Sequence, residues 1–305
     1  SYHAGQSFDV TYAATITELE RARCPALYTT VRNCLVHGSI GSAATNHSGA
    51  FGCTYENSKF VNFGFPIAVR SPNTLIHGCE FSFKTTSDSD EFYGFAINIS
   101  EPTTFGTRIE NCLFACDRGV CIWPHLDEAL MPNVPKQKKK GIQILNNTFF
   151  GNKRWSIYVK EAPLKWNFSD GTEDGEYTDY AADRTDLEVR GNLFYKCGSG
   201  NATLVDIPRL VNGISISDNR FIDCVARAYM MDIDAINTDV EIRDNVFSGC
   251  SGTSGFNYTA WIGTTDPRYE KLAPGGNSRH VYFNNISNDA NFPACIPRTD
   301  YNTVP

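Results

Sequence analysis

Short stretches of alternating apolar and polar residues recur along this chain, each closed by a polar turn. The clearest is VEIRDNVFSGC at 240–250, and ISISDNRFIDC (214–224), LEVRGNLFYKC (187–197) and IQILNNTFFGN (142–152) rewrite it. Earlier copies are RIENCLFAC (108–116), LIHGCEFSF (75–83), AFGCTYENS (50–58) and TVRNCLVHG (30–38), and VYFNNISND (281–289) is a last, degraded one. Period-2 alternation predicts strands with one buried face. Self-similarity at a recurring step predicts a solenoid, in which each coil packs on the next.

The turn residues set the expected register: Cys34, Cys53, Cys79, Cys112, Asn147, Asn192, Asn219, Asn245 and Asn285. Strands of adjacent coils sit ~4.8 Å apart, so equivalent side chains form columns. Asn147, Asn192, Asn219 and Asn245 are expected to build an amide ladder. Phe114, Phe149, Phe194, Phe221 and Phe247 are expected to stack in the core. A second strand follows each turn motif. Its inward residues are read as Val69, Ile99, Ile122, Val159, Ile207, Ile233 and Ile262.

Motifs of the form I-x-I-x-x-N-x-F, one per coil, resemble those of right-handed parallel β-helix proteins, the pectin-lyase-like superfamily, over residues 28–290. The resemblance implies an all-β right-handed parallel β-helix of about eight or nine coils. Thr15-Ile16-Thr17-Glu18 is a capping-box pattern, so residues 1–27 are read as an N-terminal strand and a short helix over the first coil. Residues 291–305 have lost the repeat and form a C-terminal tail. The superfamily holds lyases, hydrolases, epimerases, tailspikes, adhesins and inert fibres, so the fold alone assigns no activity.

Alternation turns Arg70, Asn98, Trp123, Tyr158, Lys160, Asp206, Asp232, Asp234 and Trp261 outward on the second strands. Aromatic rings among charged groups suit sugars, whose ring faces stack while carboxylates and amides bond hydroxyls. Arg70, Asn98, Trp123, Tyr158 and Trp261 are the expected glycan contacts. Asp206 and Asp232 are expected to stack on adjacent coils, with Asp234 two residues along and Lys160 nearby. Such a set is either a catalytic group, a Ca2+ site or a solvated acidic surface. No other metal or cofactor is expected. Long loops at 124–141, 161–186 and 264–279 are expected to emerge near the second strand and wall a groove.

The family's enzymatic signatures are mostly missing. Asn237-Thr238-Asp239 resembles the NTD element of polygalacturonases, but no DD, GHG or RIK element follows. The R-x-P-x-x-R element of pectate lyases and the YG-x-DPH element of epimerases are absent.

Composition narrows the rest. The net charge of −7 gives no reason to expect nucleic acid, and KQKKK (136–140), the one dense basic run, reads as a solvated loop. No run of 18 apolar residues occurs, so no membrane insertion is expected. Sequons stand at Asn46, Asn98, Asn146, Asn167, Asn201, Asn257 and Asn285 and suggest glycosylation of a secreted protein. The eleven cysteines do not have zinc spacing. Cys34, Cys53, Cys79 and Cys112 are placed in one column. Cys197, Cys224 and Cys250 form another, with Cys116 one residue out of step. Each column is either a thiol ladder or a set of rung-to-rung disulfides.

Two functions of different kind follow. One is a secreted, cell-surface or virion-surface module, structural, adhesive or fibre-forming, that contacts glycans and self-assembles. The other is a polysaccharide hydrolase or lyase working through Asp206, Asp232, Asp234 and Lys160.

Overall fold

A computed structural model describes residues 28–38, 44–46, 51–62, 66–69, 71–83, 95–99, 106–122, 141–159, 186–207, 212–227, 229–233, 238–253, 258–262 and 280–289. The expected N-terminal helix, the C-terminal tail, KQKKK and the three long loops lie outside these residues.

Three parallel sheets of nine, nine and eight strands run the length of the molecule, and a two-stranded sheet sits beside them. Each strand pairs with its counterpart one coil away, so the described chain is a parallel β-solenoid of nine coils. Strands of three to six residues suffice, because each coil borrows its partners from its neighbours.

One turn defines every coil. Between first-sheet and second-sheet strands stands a residue with positive φ: Asn33, Asn57, Gly78, Asn111, Asn146, Gly191, Asp218, Asp244 and Asn284. Asn, Asp and Gly tolerate this left-handed conformation best. At Gly191 there is a second reason, because a Cβ there would lie 2.3 Å from Asn146 Oδ1.

The next residue points inward and forms the ladder. Asn147 Nδ2 donates to Asn192 Oδ1 at 3.1 Å, Asn192 to Asn219 at 3.0 Å, Asn219 to Asn245 at 2.9 Å and Asn245 to Asn285 at 2.8 Å. Each of these donors also bonds a carbonyl on the preceding coil, as Asn219 Nδ2 does with Val189 O at 2.9 Å. The four expected rungs are present, and Asn285 adds a fifth.

In the first four coils the same position holds Cys34, Ser58, Cys79 and Cys112. Here the structure corrects the expected register. Cys34 lies opposite Ser58, whose Oγ accepts from Cys34 N at 3.1 Å. Cys53 precedes the first-sheet strand Thr54–Glu56 and is not a turn residue. The left-handed Asn57 fixes the turn one position before Ser58, and a hydroxyl fills the role of the thiol. Ser58 Oγ donates to Glu56 O, just as Cys112 Sγ donates to Glu110 O.

The core columns follow. Seven rings stack in order: Phe60, Phe81, Phe114, Phe149, Phe194, Phe221 and Phe247, with centroids 4.3–5.3 Å apart. Beside them Cys197, Cys224 and Cys250 each donate Sγ–H to a phenylalanine carbonyl one coil back, at 3.2–3.4 Å. Asn152 fills this position where Cys116 is out of step, and its Nδ2 reaches Phe114 O and Cys116 O. All nine described cysteines are free thiols, including the eight placed in columns as disulfide candidates. The Cys197 and Cys250 sulfurs on either side of Cys224, together with burial, push its thiol far above the ordinary range.

Candidate functional site

The third sheet carries the site. Its register aligns Val69, Ile99, Ile122, Val159, Ile207 and Ile233 inward, with Ile262 the next position in register. One residue earlier runs an outer row of Ala68, Asn98, Cys121, Tyr158, Asp206 and Asp232, with Trp261 the next position in register. Asp206 and Asp232 are therefore neighbours in register, one coil apart. Tyr158 stands on one side of the pair, and the Trp261 position on the other.

Arg70, Trp123, Lys160 and Asp234 belong two residues further along these strands and lie outside the described residues, while Trp261 is described only by its backbone. Among the described residues, no group of three or more His, Cys, Asp or Glu is arranged to hold a metal.

A second outer row, missed in the sequence, completes the surface. Phe95, Arg118 and Trp155 stand three positions before Asn98, Cys121 and Tyr158. Strict alternation places them on the same face as Ile97 and Val120. They instead gather around the outer Tyr158 and one another. Phe95 is buried yet is not part of the core cluster. Arg118, 2% exposed, lies against two rings that are themselves 6.2 Å apart, its Cζ 5.5 Å from Phe95 and 5.4 Å from Trp155. Trp155 stacks on Tyr158 at 4.7 Å, and Phe95 on Tyr158 at 6.0 Å.

The aromatic cluster meets the carboxylates through one bond. Trp155 Nε1–H donates to Asp206 Oδ2 at 2.9 Å. Burial, and then the charge of Asp232, push the Asp206 carboxyl up to about 7, and the Trp155 bond opposes them. The folded state keeps this proton at pH values where the unfolded chain, near 3.8, has released it. Stability is therefore lost as pH rises from about 4 to about 7. Asp206→Asn removes that loss. Urea midpoints should be higher for the variant than for the parent at pH 8 and should converge near pH 4; a constant difference across the range would rule the account out.

Further along the outer row, Asn98 Oδ1 is buried and has no hydrogen-bond partner. An unfilled acceptor of this kind costs roughly 1–3 kcal/mol. Among the sequon residues, Asn146 and Asn201 are exposed, whereas both amide hydrogens of Asn285 are donated, to Ile242 O and Phe283 O. Asn46 is described only by its backbone, and Asn167 and Asn257 lie outside the described residues. No described helix is long and apolar enough to cross a membrane.

No protein-family model matches the chain, and no curated protein matches it.

Proposed function

We propose that this protein is a secreted or surface-exposed β-helix that engages an extended glycan on the outer face of its third sheet. One observation carries the reading: the stacked rings of Phe95, Trp155 and Tyr158 lead directly onto the registered carboxylates of Asp206 and Asp232. Half-buried Trp155 and Tyr158, backed by the buried Phe95, supply stacking area for sugar faces, and carboxylates accept from hydroxyls. The likeness of the repeat to the pectin-lyase-like superfamily belongs to the same reading.

A second reading, glycoside hydrolysis, is favoured by the Asp206 carboxyl. A group titrating near 7 keeps a proton to give to a leaving oxygen at neutral pH. Its partner one rung away, at about 5 Å, is at the spacing of a nucleophilic carboxylate in retaining enzymes.

Affinity electrophoresis through gels loaded with neutral, acidic and amino polysaccharides tests the first reading; migration unchanged in every gel overturns it. Reducing-end release from any retained glycan tests the second. Asp232→Asn should retain binding and lose turnover by several orders of magnitude, with thermal unfolding nearly unchanged. Turnover equal to the parent would remove Asp232 from the chemistry.

A further inference from the structure

The two carboxylates of the outer row are not equivalent, and the difference has a structural origin. Asp206 receives one hydrogen bond among the described residues, from the Trp155 indole to Oδ2. Among the described residues no bond to its Oδ1 is seen. The indole is itself fixed. Phe95 stacks on it at 6.2 Å, Tyr158 at 4.7 Å, and the Arg118 Cζ lies 5.4 Å from its ring. Three consecutive coils thus contribute Phe95, Arg118 and Trp155 to one cluster that meets a single oxygen of the fourth.

We propose that Trp155 is the positioning residue of the carboxylate pair, holding Asp206 by Oδ2 so that Oδ1 is the oxygen that carries and delivers the proton. An N–H can only donate, so Oδ2 is engaged as an acceptor. The proton that Asp206 holds then resides on Oδ1, the oxygen the indole does not engage. The groups facing Asp206 are Asp232 on the following coil and Trp155 and Tyr158 on the preceding one, with Arg118 behind Trp155. The indole stabilises the charged form of Asp206, opposing burial and Asp232. Trp155 therefore lowers the pH at which Asp206 is half-ionised. As a catalytic device this rests on the hydrolytic reading above; as a property of the carboxyl it stands without any glycan.

The test uses ligand-free protein. Side-chain carboxyl signals of 13C-aspartate-labelled protein are followed with pH, and Asp206→Asn assigns the Asp206 signal. In Trp155→Phe, which keeps a ring on Arg118 and loses the N–H, the Asp206 midpoint should move up by about one pH unit. Tyr158→Phe should leave it in place. In the parent protein the Trp155 indole 15N–1H signal should titrate with the same midpoint as Asp206, which decides the matter even if the phenylalanine variant does not fold. An indole signal constant through that range, or an unmoved Asp206 midpoint in a folded Trp155→Phe, overturns the proposal. Neither result depends on glycan binding, so its failure and that of the glycan reading are separable. If turnover is found, Trp155→Phe should shift the acid-limb midpoint of its pH profile by the same amount.

Discussion

Asn219→Ala should destabilise the protein by about 3–5 kcal/mol, more than the loss of an ordinary hydrogen bond. Asn219 is bonded on both sides. Its Nδ2 donates to Val189 O and to Asn245 Oδ1, both at 2.9 Å. Its Oδ1 accepts from Asn192 N at 2.9 Å and Asn192 Nδ2 at 3.0 Å. Truncation leaves the Val189 carbonyl and the two Asn192 donors buried with no access to water. Each unpaired group carries a desolvation penalty of about 1–3 kcal/mol. The expected result is a lower urea midpoint at unchanged slope. A loss below about 1 kcal/mol would mean that water enters the turn and that the ladder is a geometric pattern with little energy in it.

Phe194→Ala should cost a similar amount, about 3–5 kcal/mol, by a different route. The ring lies 4.8 Å from Phe149 and 4.3 Å from Phe221, fully buried between them. Its removal forfeits apolar burial and leaves a gap in the column. The neighbours cannot close it, because Leu193, Phe194 and Tyr195 are paired in register with both adjacent strands. Phe194→Leu should recover most of the loss. Chemical denaturation of the two variants checks this. An alanine variant as stable as the leucine one would show that the column collapses and that the strand spacing is softer than the hydrogen bonding implies.

The repeat made much of the fold legible before any coordinates. Asn192, Asn219 and Asn245 each stand in a strand-turn-strand frame with an aromatic two residues on, and nothing competes with that reading. The inward row of the third sheet was legible for the same reason, and with it the stacking of Asp206 on Asp232. Legibility failed where two residues could play one part. AFGCTYENS contains both a cysteine and a serine, and the cysteine column made Cys53 the tempting choice. The hydrogen bond from Ser58 Oγ back to Glu56 O is available to either side chain. The strand order distinguishes them, since Ser58 stands between Thr54–Glu56 and Lys59–Val61 and Cys53 before both, and each follows a left-handed residue.

It failed again at Trp155 and Arg118. Period-2 counting assumes a straight strand, and these residues instead gather around the outer Tyr158 and one another. An alignment of Phe95, Arg118 and Trp155 on the residue four before the inward aliphatic would have put them in one column. Their gathering there is not written in the strand pattern.

The asparagine row also has a direction. From Asn147 onward every amide gives one hydrogen backward to the preceding coil and one forward to the next amide. Asn285 breaks the rule by folding its second hydrogen onto Phe283 O of its own coil. That donor is used at home, so among the described residues the amide-to-amide row ends at Asn285. The row is polar along the axis of the coils, with every forward hydrogen pointing from the earlier coil to the later one, as in a chain of aligned dipoles.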